Sequence, residues 1–243
     1  MTSYEHKIIQ KKPLHGMFTE IPRHYDLINH VITWGLDKRW RWKVAREGLT
    51  SQPERILDLG CGTGDLAINI ARLAKNDTEV IGLDYSQPML EIAARKAEPL
   101  ARSKKLSFIY GDAANLPFPD GYFDCVGSSF SFRNLTYKNP LASRYLAEIL
   151  RVLSPGGRCV IVETSQPRKE IMRKLFHLYL RWFVFRIGHL LSSNRGAYHY
   201  LAESAARFYT SSELRELLLT AGFRQVSCRP LFLGVASIYI AIK

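Results

Sequence analysis

The stretch RILDLGCGTGD, residues 55–65, decides how this chain folds. Residues 55–59 read as a strand and 66–74 as a helix, with a glycine-rich turn between them. Gly60, Gly62 and Gly64 let the backbone approach a ligand closely, and the amide groups at the helix start favour an anionic group. Twenty residues after Gly64, Asp84 ends the next predicted strand, where a carboxylate can accept both hydroxyls of a ribose. A dinucleotide-binding GxGxxG loop would need glycine at 65, and the chain has Asp65 there. A tight turn in which glycine only relieves crowding is the plainer alternative for the loop taken alone.

Outward from this loop the chain alternates short β runs with helical patterns. Strands are predicted at 55–59, 80–83, 106–110, 123–128 and 158–162, with helices at 66–74, 88–96 and 141–152. This βαβα rhythm implies a parallel sheet covered by helices on both faces. It breaks at Thr164. Residues 168–191 are basic and aromatic, and a helix resumes at 211–220, closed by Gly222. Strands at 224–229 and 235–242 finish the chain. Four units are expected: a helical cap over 1–50, a core over 51–165, a helical insertion or lid over 166–210, and a closing helix and strands over 211–243. Ligands of open α/β sheets bind beyond the carboxyl ends of the strands, so the insertion is placed to roof a site.

The chain has 243 residues, 47% of them apolar, enough for a sizeable core and too many for a disordered protein. Its net charge of +12 is unevenly placed. Residues 1–50 carry nine Lys/Arg against five Asp/Glu, residues 51–165 thirteen of each, and residues 166–200 seven against one. Such a field attracts nucleic acid or a lipid headgroup surface, solubility being the plain alternative. Cys61, Cys125, Cys159 and Cys228 are scattered singly, which indicates neither a metal site nor a disulfide framework and suits a reducing, cytoplasmic setting. The opening MTSYEHKIIQKK has no apolar run, so no signal peptide is expected there. No stretch reaches the roughly 18 apolar residues needed to span a bilayer.

The GxGxG form, with Asp58 two residues before Gly60, resembles motif I of the class I S-adenosylmethionine-dependent methyltransferases. That resemblance implies a Rossmann-like sheet, mostly parallel with an antiparallel final strand. It implies cofactor contacts from Asp58, Gly60, Gly62, Thr63, Gly64 and Asp84. Gly111-Asp112-Ala113 is similar to the segment that reaches the adenine, through the Asp112 side chain and the Ala113 amide. Residues 116–120 resemble the loop before strand four, and residues 153–157 the turn before strand five, both set by Pro and Gly.

Further stretches are similar to the menaquinone and ubiquinone biosynthesis C-methyltransferases. They are Met17-Phe18, Tyr25-Asp26-Leu27-Ile28-Asn29 and Gly35-Leu36-Asp37-Lys38-Arg39-Trp40-Arg41. The others are Ser129-Phe130-Ser131-Phe132-Arg133-Asn134-Leu135-Thr136, Arg186-Ile187-Gly188, and Tyr198-His199-Tyr200-Leu201-Ala202-Glu203-Ser204. The similarity runs from Met17 onward. Three positions depart from the family's pattern: Ser131 replaces its usual glycine, Val162-Glu163-Thr164-Ser165 its LEFS, and Tyr137 its usual acidic residue. This family methylates a prenylated quinol ring, so the resemblance implies such a substrate, with naphthoquinol and benzoquinol both open.

Methyl transfer to an aromatic carbon needs a ring hydroxyl deprotonated or nearly so, tight positioning and exclusion of water. The resemblance puts Arg133 and Asn134 first as catalytic residues, with an Arg–carboxylate pair that braces the loop as the alternative for Arg133. Arg133 would stabilise a phenolate or orient a water, since free Arg is a poor base. Tyr200 is the second choice, with His199 or Glu203 as base. Ser129 is expected at the cofactor, and Tyr25 and Asp26 close over it. The segment 168–191 is compatible with an amphipathic helix on a membrane surface, at the inner face of the membrane, or with a lid packing aromatics over the site. Self-association as a homo-oligomer stays open. RNA or another small molecule as methyl acceptor, and a non-catalytic cofactor-binding protein, are the alternative functions. No RNA-binding module signature is present.

Overall fold

The computed structural model describes residue 26 and residues 29–100, 102–184 and 202–243. Its centre is a seven-stranded sheet in the order β3-β2-β1-β4-β5-β7-β6. The strands are β1 (Arg55–Leu59), β2 (Glu79–Asp84), β3 (Lys105–Tyr110), β4 (Phe123–Ser129), β5 (Leu153–Thr164), β6 (Gln225–Leu231) and β7 (Ala236–Ile242). The pairs among β1 to β5 are parallel, and β7 runs antiparallel to both β5 and β6. The strand order reverses between β1 and β4, which opens a crevice at their carboxyl ends.

β1 is buried along almost its whole length, as a parallel strand covered on both faces must be. Its side chains alternate between two cores. Leu57 and Leu59 join one with Tyr145, Leu146 and Ile149, while Ile56 joins the other with Trp40, Val44 and Leu66. The helices named here are α1 (Leu36–Gly48), α2 (Asp65–Leu73), α3 (Gln87–Ala97), α4 (Phe132–Thr136), α5 (Ala142–Val152), α6 (Glu170–Tyr179) and α7 (Ser211–Ala221). α5 buries Tyr145, Leu146, Ile149 and Val152, one stripe at helical spacing. α7 begins with a capping box between Thr210 and Glu213 and ends on Gly222 at φ 115°.

Residues 153–157, expected as a turn, form the start of the twelve-residue β5. Leu153 pairs with Phe123 before the register shifts, so Pro155 and the glycines sit in an irregular ladder beside a strand. The expected cap over 1–50 is helical in its described part, with a break at Trp34 and Gly35, both left-handed. The short α4 had no sequence signature, being five residues long.

Candidate active site

A cleft of about 860 Å³, open to solvent, lies at the carboxyl ends of β1, β2 and β4. The glycine loop forms its floor. The Gly60 and Cys61 amides donate to the Leu83 carbonyl at 2.8 and 3.1 Å, which pins the loop to β2. A Cβ on Gly60 would lie 2.6 Å from Ser131 Oγ, so only glycine fits there. Gly62, at φ 53°, has nothing within 4 Å of a Cβ and leaves backbone bare to the cleft.

Four carboxylates and one guanidinium line this cleft: Asp26, Asp58, Asp65, Asp84 and Arg41. Asp58 accepts the Ala67 amide at 2.9 Å on Oδ2, in the first turn of α2, and its buried Oδ1 has no partner among the described residues. Burial, opposed by the Ala67 hydrogen bond and reinforced by Asp84, pushes its carboxyl up to about 7. Asp84 accepts the Gly62 amide at 2.8 Å and the Ser86 amide at 2.9 Å, and burial raises it too despite those bonds. Ser129 presents a second buried orphan, Oγ. The two orphans, the bare backbone at Gly62 and the acidic lining fit a polar ligand that carries positive charge.

The rim is held by ions. Asp26 accepts from Thr63 Oγ1 at 2.7 Å and from Lys96 Nζ at 3.0 Å, and Lys96 also bridges to Asp65. Arg41 on α1 joins Asp37 at 2.5 Å and Asp65 at 3.5 Å. Burial raises the Asp37 carboxyl, but Arg41 and hydrogen bonds from His30, Arg41 and Thr33 outweigh it and hold it below the usual range.

The profile of the ubiE/COQ5 methyltransferase family matches residues 5–243. The chain belongs to the ubiE/COQ5 methyltransferase family. It is 42% identical over 224 residues to a demethylmenaquinone methyltransferase of Thermus thermophilus, covering 92% of this chain and 98% of the relative. It is 34% identical over 230 residues to the ubiquinone/menaquinone biosynthesis C-methyltransferase UbiE of Geobacter sulfurreducens, covering 95% and 88%. A solved SAM-dependent methyltransferase from Aquifex aeolicus superposes with a TM-score of 0.55 at 17% identity, over 78% of this chain and 81% of that one. That likeness bears on the fold alone.

In this ubiE/COQ5 methyltransferase, Asp58, Gly60, Gly62, Thr63, Asp84, Ala113, Ser129 and Asn134 all border the cleft. Gly64, at φ 81°, is packed against Ala93 and Phe108 and shapes the loop from behind. Asp112 turns its carboxylate to the Ala114 amide at 3.0 Å and supports the segment whose Gly111 and Ala113 reach the cleft. Arg133 is not among the lining residues. It is buried, its guanidinium 3.3 Å from Glu163 Oε1 and 2.8 Å from Thr164 Oγ1, and its amide donates to Glu163 Oε2 at 2.9 Å. This is the bracing pair weighed as the alternative for Arg133. It ties α4 to the end of β5 and sets Asn134 at the cleft. Tyr25, His199 and Tyr200 lie outside the described residues, and Glu203 pairs with Arg207 at 3.0 Å on a half-exposed helical face.

Two contributions to the site and its rim were not assigned from the sequence. Ser131 was visible as a departure from a family glycine. The structure seats its hydroxyl over Gly60, bonded to the Leu59 carbonyl at 3.0 Å and to Ser128 Oγ at 2.8 Å. Lys96 gave no signal at all, being a lysine in the last turn of a helix.

Proposed function

We propose that the chain methylates a ring carbon of a prenylated quinol, converting a demethylmenaquinol to a menaquinol or performing the equivalent step toward ubiquinone. The reading is supported by the family and by relatives named for that reaction over nearly their whole length. The observation that carries it is the acidic, glycine-floored cleft at the point where the strand order reverses. S-adenosylmethionine is the cofactor, and when bound it supplies an electrophilic methyl group on a sulfonium whose departure leaves a neutral thioether.

The chain's residues then divide the remaining work. Asp84 and the Gly60–Gly64 loop hold the ribose and the amino-acid portion. The 111–113 segment borders the adenine, shaped by Asp112. Asp58 and Asp65 favour the ligand's positive charge. Ser129 offers its unspent hydroxyl to the bound groups, and Asn134 offers an amide to a ring oxygen of the acceptor. Arg133 acts as a positioning residue through Glu163, and Tyr200 remains the proposed phenol partner of the quinol. Phe130, held at φ 58° and 6.0 Å from Trp40, helps to close the cleft against water. A prenylated acceptor resides in a bilayer, so the reading calls for a peripheral protein at the inner membrane face. No described helix is long and apolar enough to cross a membrane.

Removing the gene from its source organism tests the reading. The unmethylated quinone is expected to accumulate and the methylated one to disappear. An unchanged quinone profile would contradict it.

A further inference from the structure

α6 is apolar on two opposite sides. On the inner side Phe176, Tyr179 and Leu180 pack against Ile32, Ala202, Ala205 and Ala206. His177 Nε2 meets Gln166 Oε1 at 2.8 Å, and the Tyr179 hydroxyl donates to the Ile32 carbonyl. The fold uses that face. On the outer side Ile171, Leu175, Leu178 and Trp182, spaced four, three and four residues apart, are 53–65% exposed. They form a single stripe along the helix and its continuation over Leu180–Val184. Beside that continuation stands Trp34, 75% exposed and stacked 5.7 Å from Phe183. Its φ of 53° is a conformation that a bulky residue adopts only at a cost, and here the outcome is a tryptophan turned to solvent.

The charges around the stripe are mostly positive. Arg168, Lys169, Lys174 and Arg181 are exposed, and Glu170, which pairs with Lys174 at 2.8 Å, is the sole acidic residue in 168–184. Protein interfaces are poor in lysine at their centres. A stripe of Ile and Leu flanked by Trp and rimmed with Lys and Arg instead matches the boundary between lipid headgroups and acyl chains. α6 also begins a few residues past the carboxyl end of β5, on the edge of the sheet where the cleft opens.

We infer that the outer face of α6, with Trp34, docks this protein on an anionic bilayer. The apolar stripe enters the headgroup boundary and the four cations meet lipid phosphates. The quinol reading supplies the purpose of such a surface, while exposure and charge carry the inference.

The test is sedimentation of the full chain with vesicles of phosphatidylcholine alone or mixed with phosphatidylglycerol. Binding to the mixed vesicles is expected, weakening as salt rises. Replacing Ile171, Leu175 and Leu178 together by Ser is expected to weaken binding at least about tenfold. Lys169→Ala, Lys174→Ala and Arg181→Ala are expected to weaken it about fivefold each. Affinity for S-adenosylhomocysteine should be unchanged in all of them, which shows that the variants fold. The inference is overturned if the apolar variant binds vesicles as the parent does. It is equally overturned if the parent ignores anionic vesicles and self-associates through this face. Methylation of a detergent-dispersed quinol by the same proteins reports separately on the quinol reading, because it needs no vesicle.

Discussion

Asp58 governs the acid–base behaviour of the cleft. Its folded-state value of about 7 lies above that of an unfolded carboxylate, about 4. The folded protein therefore holds this proton more tightly, and the stability it contributes is full below about 4 and lost as pH rises through about 7. Asp58→Asn should flatten the fall in melting temperature across that window; an undiminished fall would place the cause elsewhere. A cationic ligand beside Asp58 favours the ionised form, so S-adenosylmethionine, with its sulfonium, should bind more tightly as pH rises through about 7, with a proton released to buffer. Gly60→Ala should weaken cofactor binding and destabilise the fold, since its Cβ meets Ser131 at 2.6 Å. Ser131→Gly should remove the steric part of that penalty in the double variant, leaving the strain of an alanine at φ 68°, and strictly additive losses would disprove the contact. Arg133→Ala leaves Glu163 buried without its cation, a change that costs about 3–5 kcal/mol. Thermal denaturation should show that loss, while Glu163→Gln, which keeps an acceptor, should lose less. Asp58, Gly60, Gly62 and Asp84 were legible because strand, turn and carboxylate follow one another at fixed offsets. The pairing of Arg133 with Glu163 was not, because the partners stand 30 residues apart and meet only through the parallel register of β4 and β5.

At the scale of elements, an ionic strap crosses the glycine loop. Lys96 at the end of α3 links Asp26 to Asp65 at the start of α2, with Thr63 between. About a third of each side chain in these pairs is exposed, so each contact contributes little, about 0.2–1 kcal/mol. Lys96→Met should therefore speed release of S-adenosylhomocysteine about two- to fivefold at low salt, and the difference should vanish at about 1 M salt. Stopped-flow dissociation checks this, and an effect that persists at high salt would rule out the strap. The strands and long helices of the core were readable from apolar periodicity. The start of β5 was read only as a turn, because the turn chemistry of Pro155, Gly156 and Gly157 persists as an irregularity inside the strand: Leu153 and Arg158 pair with β4 on either side of it, and Gly156 keeps φ 76°. The break at Trp34 had one local signal, Gly35, which a helical reading tolerates as a single glycine.

Across the whole molecule, charge and chemistry are segregated. The glycine-loop cleft is acidic, while the positive excess lies in residues 1–50 and 166–200. A phosphate backbone is repelled by four carboxylates, whereas a sulfonium cofactor is attracted by them. The sum of +12 alone fits nucleic acid, a lipid surface or plain solubility. Methyl transfer to a quinol ring is measured with S-adenosylmethionine labelled in its methyl group. Reduced prenyl-naphthoquinol, reduced prenyl-benzoquinol and bulk RNA serve as acceptors in parallel. Label in the lipid extract of a quinol reaction is the predicted result; label in RNA, or in neither quinol, would contradict it.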